Sequence, residues 1–341
     1  MSFVPAPGYM PTFNPPLPYS MPVPGGLRPG MSVYVQGMVP HHTKRFRVNF
    51  SCGGHEGADI ALHFNPRFDG KDKIVLNSFR GGSWGKEQIQ SMPLRKGHPF
   101  EVVFIVNNDG YQILVDRNPF CTFEHRIPPE HVQVLNADGD LELQSLNLMG
   151  GAMMGPGGMP PQGYPPMAMP GMAPGSGYPN PNLPGAMTPE YGYGVPNLPV
   201  MSAPTAYHPQ VPYRGNLAGG LGSKSTVVLK GFVPPNGKRF HINFKAGPQD
   251  IALHINPRMD ERVVVRNSLL NGNWGPEERE LSFNPFQPGQ YFDLSIRCGN
   301  HRFKVFANGQ HLFDFNHRFH NFQQINMLEI DGDVNLSYIQ Y

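Results

Sequence analysis

The chain has 341 residues, a formal net charge of +2 from 27 Lys and Arg against 25 Asp and Glu, and three cysteines. That length favours two domains, and so small and dispersed a basic excess lacks the clustered cationic stripe of a nucleic-acid binder. No apolar run approaches a membrane span. The odd number of cysteines (Cys52, Cys121 and Cys298) argues against a disulfide framework.

In chain order, residues 1–16 form a Pro-rich tail with no basic segment followed by an apolar stretch, so no secretory signal is expected. A first domain is assigned to 17–149. Within it, Asp59 to Arg67 alternates: Ile60, Leu62 and Phe64 are apolar, while His63, Asn65 and Arg67 are polar. Side chains of a strand alternate faces, so the second set shares one face and the first enters a core. A short turn at Phe68-Asp69-Gly70 brings Val75-x-Asn77 alongside as the next strand. After the glycines Gly81 and Gly82 come Trp84 and Glu87, placed to close one edge of the polar row. Phe100 to Val106 reads as a buried strand, and Asp109-Gly110 as a hairpin turn.

Residues 150–210 are rich in Pro, Gly, Met and Tyr and almost uncharged, a composition that forms no packed core and reads as a disordered linker. About 60 flexible residues span roughly 45 Å r.m.s.. A passive tether and a self-associating segment are both compatible with it.

The second domain, 211–341, repeats the first. His254, Asn256, Arg258, Asn267, Trp274 and Glu277 recur in the order of the first set, with one residue less between Arg and Asn. Phe292 to Ile296 is another buried strand and Asn308-Gly309 another hairpin turn. Lys44-Arg45-Phe46 with Lys238-Arg239-Phe240, and His125-Arg126 with His317-Arg318, extend the match. No long helical period stands out, so an all-β chain is expected: two antiparallel jelly-roll β-sandwich domains. Taken singly, each polar residue has a duller explanation: a hydrogen-bonded boundary His, a Trp plugging an edge, an Arg–Glu surface pair of little energetic weight. A fold has no need to repeat them together. A sugar with one apolar face and several hydroxyls does need such a set.

The sequences H-x-N-P-R, V-x-N and W-G-x-E resemble those of galectins, the β-galactoside-binding lectins, and two copies joined by a linker resemble the tandem-repeat members of that family. The resemblance covers both repeats. It implies a jelly-roll fold, no enzymatic activity, no cofactor, and galactose-terminated glycans of glycoproteins and glycolipids as partners, with membranes met only through those glycans. It also implies that a chain made in the cytoplasm reaches the cell surface or exterior by a non-classical route. On galactose, the Trp ring would cover the C–H face. His63, Asn65 and Arg67 would take the axial 4-hydroxyl, and Asn77 and Glu87 the 6-hydroxyl. An epimer would leave buried donors unpaired, at about 1–3 kcal/mol each. Loop residues Asp69, Lys71 and Asp72 are expected to shape finer specificity.

The two copies differ at one place. Galectins usually continue W-x-x-E-x-R, as in Trp274, Glu277 and Arg279, but the first copy has Ile89 where that Arg is expected. The first site should therefore hold plain lactose more weakly, unless Arg80 or Lys86 substitutes. A glycosidase would need two carboxylates about 5–9.5 Å apart, and each copy offers one Glu beside an Arg. No Cys/His spacing suggests a metal site.

Overall fold

The computed structural model describes residues 12–150, 205–222 and 225–341. The tail to Pro11 and most of the expected linker, residues 151–204, lie outside the described residues, and so does the expectation of disorder there. In the first domain the strands are β1 (Tyr19–Pro22), β2 (Ser32–Met38), β3 (Phe46–Ser51), β4 (Ile60–Arg67), β5 (Lys73–Arg80), β6 (Ser83–Trp84), β7 (Gln88–Ser91), β8 (Pro99–Val106), β9 (Gly110–Val115), β10 (Asn118–Glu124), β11 (Val134–Gly139) and β12 (Glu142–Met149). Those of the second are β13 (Thr205–Tyr207), β14 (Tyr213–Asn216), β15 (Thr226–Phe232), β16 (Phe240–Ala246), β17 (Asp250–Arg258), β18 (Val263–Leu270), β19 (Asn273–Trp274), β20 (Tyr291–Cys298), β21 (Arg302–Ala307), β22 (Gln310–Asn316), β23 (Met327–Gly332) and β24 (Asn335–Gln340). The chain is all-β apart from two single 3-10 turns among the described residues.

Each domain is two antiparallel sheets. In the first, β1-β11-β3-β4-β5-β6, with β7 also on β5, faces β10-β9-β8-β2-β12. In the second, β14-β23-β16-β17-β18-β19 faces β13-β24-β15-β20-β21-β22. The alternation read in the sequence explains the layering. Leu62 and Phe64 of β4 and Val102 and Phe104 of β8 point into one shared core, and Leu253, Ile255, Leu294 and Ile296 do the same in the second domain. The sheets are locked by aromatic pairs in matching places: Phe46 on Phe100 at 5.5 Å and Phe240 on Phe292 at 5.5 Å between ring centres.

Two local expectations change. Asp109-Gly110 does lie at a hairpin, between the antiparallel β8 and β9, but the connection there is the three-residue loop Asn107 to Asp109 rather than a two-residue turn. The two-residue turn equivalent to Asn308-Gly309 (φ 52° and 76°) falls one hairpin later, at Asp116-Arg117 (φ 48° and 72°). Two successive positive φ values match the twist of a tight hairpin, and the sheet imposes them even on an Arg. The stretch expected to be linker up to Gln210 also carries β13, which pairs with β24 and extends the second domain's sheet. The repeat cannot reveal this strand, because β13 follows directly on the Pro- and Gly-rich composition.

Candidate functional site

Register builds the site. In the first domain β3, β4 and β5 place Asn49 opposite His63, and His63 opposite Asn77. In the second, Asn243, His254 and Asn267 stand in the same relation. Trp84 and Trp274 enter through turns at Gly81-Gly82 (φ 56° and 80°) and Asn271-Gly272 (φ 51° and 78°), which fold β6 and β19 back onto β5 and β18. All thirteen residues singled out in the sequence fall at one or the other of these two places.

Each polar group is held by a neighbour. His63 Nδ1 lies 2.6 Å from Asn49 Oδ1, and His254 Nδ1 lies 2.6 Å from Asn243 Oδ1. An amide oxygen only accepts, so Nδ1 carries the proton and Nε2 is left as an acceptor facing the site. Burial first, then the Arg67 and Arg47 guanidinium groups, lower the His63 pKa to about 4. Burial, then His241 and Arg258, lower that of His254 to about 4. Both rings are therefore neutral at physiological pH.

The asparagines are less open than an exposed polar row would suggest: Asn65 and Asn77 are 6% and 4% accessible, Asn256 and Asn267 8% and 4%. Their amides are engaged in bonds with the scaffold. Asn65 Nδ2 donates to the Phe46 carbonyl at 2.5 Å, and its Oδ1 accepts from Arg67 Nε at 2.7 Å. Asn256 repeats this with Phe240 and Arg258 at 2.6 and 2.8 Å. Asn77 Nδ2 donates to Gly85 O and Asn267 Nδ2 to Gly275 O, at 2.9 and 2.8 Å. Each of these amides keeps one N–H for a ligand.

The tryptophans do the opposite: both are 52% accessible, with ring centres 4.8 Å from His63 and 5.0 Å from His254. Phe79 supports Trp84 at 5.3 Å. The first site is a cavity of about 520 Å³ whose lining includes Arg45, His63, Asn65, Arg67, Trp84 and Glu87.

The sequence reading missed Asn49 and Asn243, which set the histidine tautomers. It noted the repeated His125-Arg126 and His317-Arg318 pairs but assigned them no role. Arg126 Nη1 donates to Asn77 Oδ1 at 3.0 Å and Arg318 Nη1 to Asn267 Oδ1 at 2.9 Å. Phe123 and Phe315 lie beneath these guanidinium groups, 4.6 and 4.7 Å from their ring centres. That recurrence was the signal for a positioning role.

The two sites differ more than the sequence suggested. In the first, Arg67 Nη2 meets Glu87 Oε1 at 3.3 Å, Glu87's one ion-pair partner among the described residues. Neither Arg80 nor Lys86 pairs with Glu87, and Ile89 stands 54% accessible on β7, opposite Val75. In the second, one Glu per site is a miscount. Glu261 joins Glu277, and both carboxylates are shared between Arg258 (3.2 and 3.6 Å) and Arg279 (3.5 and 2.5 Å). Glu261 lies in the β17–β18 turn, where the copies differ in length, so pairing the sequences did not align it. Among the described residues no cluster suited to a metal ion occurs.

Comparison with known proteins shows the family. The family model described as galactoside-binding lectin matches residues 18–148 and 212–341. Galectin-4 of Bos taurus is 54% identical over 348 residues, covering all of both chains, and galectin-4 of Homo sapiens is 54% identical over 342 residues, also covering all of both. The 32 kDa beta-galactoside-binding lectin of Haemonchus contortus is 32% identical over 330 residues, 96% of each chain. With the repeated constellation on two jelly-roll domains, these matches establish that the chain belongs to the galactoside-binding lectins as a tandem-repeat galectin, similar over its full length to galectin-4.

Proposed function

We propose that the chain is a non-enzymatic lectin that binds β-galactosides at two sites and cross-links the glycoproteins or glycolipids that carry them. The carrying observation is the pairing, in both domains, of a half-exposed Trp face with a neutral His whose open nitrogen can only accept. The Trp covers the C–H face of galactose, while Nε2 of the His and the N–H groups of Arg67 or Arg258 converge on the axial 4-hydroxyl. The remaining N–H of Asn77 or Asn267 and the Glu87 or Glu277 carboxylate suit the 6-hydroxyl. Glucose, with an equatorial 4-hydroxyl, leaves these groups unpaired at about 1–3 kcal/mol each.

Hydrolysis fits poorly, because the carboxylates at both sites are held by guanidinium groups and a glycosidase needs one free to act as an acid. Glycans of this class are displayed on cell surfaces, and the chain is proposed to act there after leaving the cytoplasm without a classical signal. Calorimetric titration of lactose into the full-length chain, with glucose as control, is expected to give two equivalents bound and no glucose heat. Absence of binding at millimolar lactose would overturn the galactoside reading.

A further inference from the structure

In each domain the sheet without a site should meet solvent with its outer residues. In β2, β8 and β12, alternation puts Tyr34, Gln36, Glu101, Val103, Asn147 and Met149 outward from the core, yet each is at most 1% accessible. In β15, β20 and β24 the outward residues Val228, Lys230, Asp293 and Tyr338 are at most 2% accessible. A lysine and two carboxylates at such burial on outer sheet faces require a cover.

Each domain covers the other. Tyr34, Val103, Ile105, Leu114 and Met149 of the first form one apolar cluster with Val228 and Tyr338 of the second. The Tyr34 and Tyr338 ring centres are 6.1 Å apart, and the Lys230 ammonium lies 5.9 Å from the Tyr34 ring centre. Asn147 Nδ2 donates to Asp293 Oδ2 at 3.2 Å, and Glu101 Oε1 meets His208 Nε2 at 3.0 Å.

The contact has the internal logic of a two-fold. Gln36 and Glu101 pair on the first sheet at 2.5 Å, and Lys230 and Asp293 occupy the matching positions on the second and also pair. Matching strands cross over: β12 reaches β20 through Asn147 and Asp293, and β8 reaches β24 through Glu101 and Ser337. A duplicated surface has met its own copy, as in an isologous dimer. Buried polar pairs of this kind favour a single register, and because both sheets belong to one chain their encounter is intramolecular.

We propose that the two domains of one chain dock back to back through their site-free sheets. Each site lies on the outer face of the other sheet of its domain, so the two sites point in opposite directions. Four sheets stacked about 10 Å apart put the site-bearing sheets roughly 30 Å apart. The chain then bridges two opposed glycan-bearing surfaces and does not clamp two glycans on one surface. The docking stands on the interface alone, while the bridging rests on the lectin reading.

Small-angle X-ray scattering of the full-length chain, compared with Tyr34→Arg and the milder Leu114→Lys, tests the docking. Lactose titration of each variant checks that the sites stay folded. A compact wild type whose radius of gyration rises in both variants is expected. A wild-type profile of two separated bodies, unchanged by either substitution, overturns the docking. Vesicles bearing a lactosyl lipid test the bridging: wild type is expected to cluster them, and the variants to cluster them several-fold less per bound chain. Equal clustering overturns the bridging. A chain that binds no lactose overturns the bridging together with the lectin reading, and scattering still decides the docking.

Discussion

At the scale of single residues, the histidines show how a scaffold selects a proton state. Asn49 and Asn243 accept the hydrogen bond from Nδ1–H, and burial keeps the second nitrogen unprotonated. With His63 and His254 at about 4 in the folded chain and near 6.5 when unfolded, the unfolded state binds protons that the folded state refuses as pH falls through that interval. This contribution to stability is present in full above pH 6.5 and is lost toward pH 4. Lactose affinity is expected to be constant from pH 8 to 5 and to drop near pH 4, as read by titration at each pH.

Ile89 makes the opposite point, since one side chain there leaves Glu87 without the second guanidinium that Glu277 has in Arg279. Ile89→Arg should add a hydrogen bond of about 1 kcal/mol at the first site, roughly fivefold in Kd. Titration of the variant against wild type checks it, and unchanged first-site affinity would exclude that role.

At the scale of elements, the turns carry the site as much as the strands do. The two-residue turns before Trp84 and Trp274 return the chain so that the indole faces His63 or His254. The glycine after each Trp leaves room for a guanidinium group. A Cβ on Gly85 would come 2.9 Å from Arg126 Nη1, and one on Gly275 would come 2.6 Å from Arg318 Nη1. Gly275→Ala is therefore expected to push the flexible end of Arg318 off Asn267, at about 1 kcal/mol for the lost hydrogen bond. Thermal melting should show the loss, and titration should show the second site weakened with the first intact.

The polar and apolar alternation of β4 and β17 was legible because a strand's period is two and needs no long-range information. The turn at Asp116-Arg117 was not, since Arg has no local preference for positive φ and the neighbouring strands impose it.

At the scale of the molecule, duplication has left two sites with different electrostatics. Glu87 meets one guanidinium, that of Arg67, in the first, and Arg258, Glu261, Glu277 and Arg279 form a four-membered network in the second. Burial of Glu101 raises its pKa, but hydrogen bonds from His208, Ser337 and Gln36 outweigh that and hold it below the ordinary range. The carboxylate between the domains is thus a charged, satisfied group. Two of those three partners belong to the other domain, 100 or more residues away along the chain.

The sequence by itself determined the two-domain all-β organisation and the thirteen polar and aromatic residues that gather at the two sites. Periodicity and a recurring residue order are visible in the sequence without any knowledge of contacts. Only the tertiary structure decided which nitrogen of each His is open and that Arg126 and Arg318 hold the asparagines from beneath. It also brought Glu261 into the second site and buried Lys230 and Glu101 on outer sheet faces. Those outcomes depend on groups far apart in the chain meeting within hydrogen-bond distance, which no local pattern encodes.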